Sequence, residues 1–350
     1  MVDVGRLASP GANESFGYAI NNLGQIVGEI FPADHAFEFN GPFGDLGTLA
    51  GFGYTSAAQG INDSGQIVGA SATSEGGYNN YNAFLYSNGT MVDLNTLTTN
   101  SIETYLSGAT GINNNGQIIC SSAEEHGFLY SSGMSTDIGL LPGGSFCRPL
   151  AINNNGQVVG VADTTNYPAS TSGHAFLYCG GTMIDLGALE GNTSGANGIN
   201  NTGQIVGTVS DTLSDLVHAF VISDGVMYDL NNLVNTNALG TYLDNANGIN
   251  DSGQIAANGA NGHAYLLTLT LPGLPPRFQA ITGSPGHFTF SWNAVNTYPA
   301  LGYQVQYTTN LAPANWINLG GVLTGPGPTL SATDTNRSDA QRFYRILLVQ

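Results

Sequence analysis

The chain has 350 residues, with 24 carboxylates, six arginines, no lysine and a formal net charge of −18. So few cations exclude a phosphate-tracking nucleic-acid protein and a surface built for anionic membranes, and no apolar run is long enough to cross a bilayer. Charged residues make up 9% and hydrophobic ones 41%, which excludes a charge-solvated disordered chain.

The opening MVDVGRL has neither a basic start nor an apolar run, so it is not a signal peptide. From Ala19 onward one string recurs six times: AINNLGQIVG at Ala19, GINDSGQIVG at Gly60, GINNNGQIIC at Gly111, AINNNGQVVG at Ala151, GINNTGQIVG at Gly198 and GINDSGQIAA at Gly248. Its turn glycines, Gly24, Gly65, Gly116, Gly156, Gly203 and Gly253, are spaced 41, 51, 40, 47 and 50 residues apart. A period of that length without a helical pattern indicates a propeller or a β-solenoid.

Each copy continues in the same way. HAFEF at His35, NAFLY at Asn82, HGFLY at His126, HAFLY at His174, HAFVI at His218 and HAYLL at His263 come next. A Gly turn follows, then D-L-G/N-x-L or a close variant, led by Asp45, Asp93, Asp137, Asp185 and Asp229. Apolar alternation bounded by Gly and Asn predicts four strands per copy. We designate them a (ending I-N), b (Q-I-V-G), c (H-A-F-L-Y) and d (M-x-D-L-G), the content of a propeller blade. MVDVGRL is itself a strand-d copy led by Asp3, and the repeats end on HAYLLTLT, a strand c without a following d. The expected fold over 1–271 is therefore all-β: a six-bladed β-propeller whose last blade is closed by Met1–Gly5 beside His263–Thr270, removing a pair of open edges.

These strings resemble the probable extracellular repeat of the HAF family, named for the His-Ala-Phe of strand c, over about residues 1–270. The resemblance implies a secreted or surface protein of a bacterium whose export segment has been removed. It implies no reaction.

Residues 272–276 form a Pro-rich linker, and 277–350 alternate like the strands of a small β-sandwich. FSWNAV with Trp292, GYQVQY with Tyr303 and Tyr307, and FYRIL with Tyr344 resemble a fibronectin type III module. The chain departs from that family by stopping at Gln350, with no sequence left for the usual last strand. Arg342 to Val349 is then expected to have an open edge. A rearranged smaller sandwich, the propeller or another subunit would cover it.

Candidate chemistry is sparse. His35, His126, His174, His218 and His263 share one repeat slot, which admits a metal ring, but blades hold such positions apart whereas metal ligands converge to about 2 Å. They are read as structural, each imidazole bonded to loop backbone, and no metal or cofactor is expected. The Asn62–Gly65 type of turn reads as an Asx turn with Gly in the left-handed region rather than a calcium loop, because four of the six carry no carboxylate. Gln66 and its equivalents are expected to satisfy backbone groups between blades. Cys120, Cys147 and Cys179 lack metal spacing and read as strand or core residues. The variable b–c and d–a loops emerge on one face. There Tyr78, Tyr81, Tyr105, Arg148, Asp163 and Tyr167 are the candidate ligand-binding residues, suited to sugar rings, and a carboxylate pair would suit glycoside hydrolysis. No Ser-His-Asp motif, P-loop or dinucleotide fingerprint occurs, and no catalytic residue is assigned. The expected function is a non-enzymatic extracellular structural or adhesive protein able to self-assemble. Its expected partners are copies of itself or a surface glycan. The alternative is a carbohydrate-binding or carbohydrate-active propeller using the long-loop face.

Overall fold

The computed structural model describes residues 14–31, 34–49, 55–73, 81–99, 105–164, 173–189, 193–211, 216–223, 225–234, 236–268, 278–284, 287–293, 302–310, 315–323, 329–335 and 342–349. Six antiparallel sheets follow one another along residues 14–47, 56–93, 106–137, 147–185, 193–229 and 243–268. The first five have four strands in the spatial order a-b-c-d; the sixth has three among the described residues. The chain is an all-β, six-bladed propeller followed by a small sandwich. The expected closing strand, Met1–Gly5, and the linker 272–276 lie outside the described residues.

Alternation in strands b and c places one apolar set on each face of a blade, and in blades 2, 3 and 4 both faces are buried against neighbours. Val27, Ala36 and Leu49 of blade 1 pack with Ala58, Ile61, Ile67 and Phe84 of blade 2. Comparable clusters join blades 2 and 3, 3 and 4, and 4 and 5. The strand-c aromatics Phe37, Phe84, Phe128, Phe176 and Phe220 are all buried, each contributing about 1.5–3 kcal/mol of burial.

The last glycine of Q-I-V-G has a packing reason. A Cβ on Gly69 would stand 2.0 Å from the Ala57 carbonyl oxygen and 2.9 Å from the Phe84 ring; Gly160 and Gly207 are equally tight. Blades 3 and 6 carry Cys120 and Ala257 there instead. In those two blades strand a has a second register shift, which leaves Ser107 and Asp244 as bulged residues. The extra residue re-routes the strand whose carbonyl otherwise closes the gap. Glycine and the regular strand go together, as do a side chain and the bulge.

The second unit has two three-stranded sheets. One is Phe278–Ser284, His287–Asn293 and Thr329–Asp334; the other is Ile317–Asn318, Gly302–Thr308 and Phe343–Val349. Phe290 of the first packs on Val305 and Ile346 of the second. Asp334 and Arg342 form a buried ion pair at 2.8 Å, and Tyr344 donates to the same carboxylate. Phe343–Val349 pairs along one side only, with Gly302–Thr308. Among the described residues its other side is an edge.

Candidate functional site

The a–b turns of all six blades converge on the propeller axis. There they line a polar cavity of about 290 Å³ with Asn21, Asn62, Asn113, Asn153, Asn200 and Asn250 and the residue after each. Asn113 shows the local logic. Its Oδ1 accepts from the N–H groups of Asn115 and Gln117, which closes the Asx turn, while Gly116 takes φ +74°. Its Nδ2 donates to Gln117 Oε1 at 2.8 Å and to the Asn153 carbonyl of the next blade at 2.9 Å. The same inter-blade bond runs from Asn21 to Asn62, Asn62 to Asn113, Asn153 to Asn200 and Asn200 to Asn250. A second tier repeats it: the N–H groups of Asn22, Asp63, Asn114, Asn154 and Asn201 each donate to the side chain one blade on. Asp63 is held below the usual carboxylate range by the side chain and N–H of Asn22, and Asn114 adds to this. The axis is a belt of mutually satisfied amides. The expected role of the glutamines needs correction. Gln66 Oε1 accepts from Asn62 of its own turn, and the asparagine makes the bond between blades.

The histidine slot also differs from expectation. Four of the five imidazoles meet a carboxylate, not loop backbone: Nδ1 lies 3.1 Å from Asp45 in His35, 2.9 Å from Asp137 in His126, 3.0 Å from Asp185 in His174 and 2.7 Å from Asp229 in His218. Nδ1 therefore carries the proton. Blade 2 makes the same link with Asn82 and Asp93 at 2.6 Å. The aspartate also caps the N–H two residues on, as in Gly187 to Asp185. The signal is present in sequence as a His and an Asp ten or eleven residues apart in four copies.

A rivet between blades sits beside each pair. Ser56 Oγ accepts from Ala36 N–H and donates to the Gly47 carbonyl of blade 1; Ser194 does the same with Ala175 and Gly187 of blade 4. Cys147 takes this slot in blade 4 and accepts from Gly127 N–H, while burial pushes its thiol up to about 12. Where strand d reads D-L-N, the asparagine side chain bonds both N–H and carbonyl of Leu106 or Leu243 instead. Because His174 and Asp185 are both partly exposed, His174→Ala should cost only about 1 kcal/mol. A thermal melt checks this. Metal content, measured in parallel, should be unchanged; among the described residues no three His, Cys, Asp or Glu side chains gather to hold a metal.

Of the candidate ligand residues, Tyr78 and Tyr167 lie outside the described residues. Tyr81 begins strand c of blade 2, Tyr105 precedes strand a of blade 3, and Arg148 and Asp163 belong to strands a and b of blade 4. All four stand at the long-loop end of their blades. The described contacts do not join them to one another. Tyr81 approaches Thr55 at 3.4 Å; Tyr105 and Arg148 are exposed. Asp163 is not a free carboxylate. It is buried and accepts from the Ser145 N–H and hydroxyl and from the Phe146 N–H at 2.6–2.8 Å, anchoring the loop that enters blade 4. Burial opposes its ionisation, but these donors outweigh burial and hold it below the usual carboxylate range. Its contribution to stability is therefore present above about pH 4 and is lost as pH falls through the lowered value. Asp163→Asn should cost about 1–3 kcal/mol at neutral pH and less in acid, as urea titrations at pH 7 and pH 3 will show.

No family model and no curated protein matches this chain. Among solved structures it is similar to the extracellular domain assigned to a hybrid two-component system of B. thetaiotaomicron, at 12% identity and a TM-score of 0.36, covering 90% of this chain and 47% of that one. The tricorn protease gives 11% and 0.42, covering 89% and 32%. A puromycin-hydrolyzing peptidase of Mycobacterium tuberculosis gives 11% and 0.43, covering 80% and 49%. The chain spans about half or less of each of these three, and likenesses this distant lend it no function.

Proposed function

We propose that this chain is a non-enzymatic structural or adhesive protein that works outside the cell and associates with copies of itself. One observation carries the reading: the polar side chains that recur in the described blades bond to one another. The Asn belt and the His–Asp pairs are spent on holding the ring. A surface almost free of cations removes much of the charge patterning that steers small anionic substrates. Among the described residues Phe343–Val349 stands at the end of its sheet, a position at which a strand from another molecule can be added. The resemblance to the HAF repeat supports an extracellular setting.

The second reading, a carbohydrate-binding or carbohydrate-active propeller, is favoured by the exposed rings of Tyr105 and Tyr242 at the long-loop end. Incubation of the protein with a panel of polysaccharides, read both for retention on the insoluble polymer and for release of new reducing ends, separates the two. The proposal expects neither retention on the polymer nor release of new reducing ends. Retention or release that disappears in a Tyr81→Ala, Tyr105→Ala, Arg148→Ala triple variant would replace it with the carbohydrate reading.

A further inference from the structure

Strand a is the innermost strand of a blade. The a–b turns that it feeds line the axial cavity, the sheets run outward from it, and strand a of each blade lies beside strand a of the next from blade 1 to blade 6. An exposed side chain on strand a therefore faces the central channel. Two positions recur on that wall. The residue three before a belt asparagine is matched with the residue five before the belt asparagine of the next blade. Between blades 5 and 6 these are Asn197 and Asn245, bonded at 2.8 Å, and Thr208 of strand b donates to the same Asn245 Oδ1. That stretch of wall is closed on itself. Across blades 1 to 4 the same positions are left open. Tyr18 is matched with Ala57 and Gln59 with Gly108, residues too small to cover them. Tyr18 is 44% exposed, and Gln59 is exposed with no hydrogen bond among the described residues. At the next junction the Thr110 hydroxyl is spent on the Pro149 carbonyl at 2.9 Å. Arg148, one residue earlier, is exposed and has no ion pair or hydrogen bond among the described residues. Arg342 and Arg345 of the sandwich, by contrast, are both bonded.

We infer that the channel wall of blades 1 to 4 is a binding site for a small organic carboxylate with a flat apolar end, which pairs with Arg148, bonds to the Gln59 amide and rests on the Tyr18 ring. The guanidinium fork matches a carboxylate in both geometry and charge. In a chain of net charge −18 an anion settles only where a specific cation holds it, and Arg148 is free to do so. Gln59 offers a donor and an acceptor, which suits a polar middle of the ligand. The Tyr18 hydroxyl is spent on Glu29 of its own blade. Burial and the Glu29 carboxylate push that hydroxyl up to about 12, so it stays protonated and keeps Glu29 engaged. A ring held in this way is a rigid apolar platform. The belt repeats in every blade, whereas these three residues differ from their counterparts, as an asymmetric ligand requires of a ring of copies. The site stands apart from self-association, because the sandwich contributes no residue to it.

N-benzoylglycine carries a carboxylate, an amide and a flat ring in that order and serves as the probe. Titrated into the full-length protein in a calorimeter, it should bind saturably. N-benzoylglycinamide, which lacks the charge, should bind at least about tenfold more weakly. Arg148→Gln should weaken N-benzoylglycine by a similar factor. Its melting midpoint should match the parent, because Arg148 has no described partner to lose. Tyr18→Ala should weaken both compounds by about threefold or more. The absence of saturable binding, equal binding of the two compounds, or undiminished binding by either variant overturns the inference.

Discussion

Replacing Gly160 by alanine should destabilise the propeller by about 3 kcal/mol or more. The added Cβ would stand 2.1 Å from the Arg148 carbonyl oxygen and 2.9 Å from both the Phe176 ring and the Pro149 backbone. Neither neighbour can move freely. The carbonyl belongs to strand a, and the buried Phe176 ring is part of the core between blades 3 and 4. The control is Cys120→Ala at the same slot of blade 3, where the bulge at Ser107 has already made room. It should cost about 1 kcal/mol, the loss of one buried sulfur. Urea midpoints of the two variants give the comparison. Similar midpoints would show that the glycine rule reflects something other than the carbonyl above it.

Asn113→Ala is the second large effect. Asn113 is 3% exposed and its side chain makes four hydrogen bonds, two within its turn, one to Gln117 and one to the next blade. Alanine leaves the Asn153 carbonyl and two turn N–H groups without that partner. With roughly 0.5–1.5 kcal/mol net per bond and a further penalty for each buried group left alone, the loss should be about 2–4 kcal/mol. Asp would be tolerated no better, since its carboxylate cannot donate to Gln117 or to the next blade. A midpoint within a degree or two of the parent would mean that the belt is a by-product of the turn and does not bind blades together.

Much of this architecture can be read from the chain because each blade repeats it. A turn glycine, a β-branched pair and a His-Ala-Phe run are local signals, and six copies average out their ambiguity. Partners across blades are harder to read. The Asn62 side chain can be assigned to its own turn from the N-x-x-G pattern, but its bond to Asn113 crosses 51 residues. His174 and Asp185 each recur visibly, yet their pairing depends on strands c and d lying in register. The exchange of Gly–Ser for Asn–Leu between blades is written plainly in sequence. It acquires meaning only when Ser56 is seen beneath the Gly47 carbonyl. The long-loop face is the least legible. Asp163 reads as a free acid in sequence because its donors, Ser145 and Phe146, carry no motif. Tyr105 and Arg148 differ from blade to blade, so repetition lends them no support.

A structural protein that meets its own kind through the sandwich edge should associate in solution, and only with that edge present. Light scattering of the full-length protein beside a chain ending at Leu271, both taken to high concentration, tests this directly. Association is expected for the full-length protein and absent from the shortened one, with the larger particles visible by electron microscopy. Monodisperse particles of 36.2 kDa for the full-length chain at every concentration would contradict it.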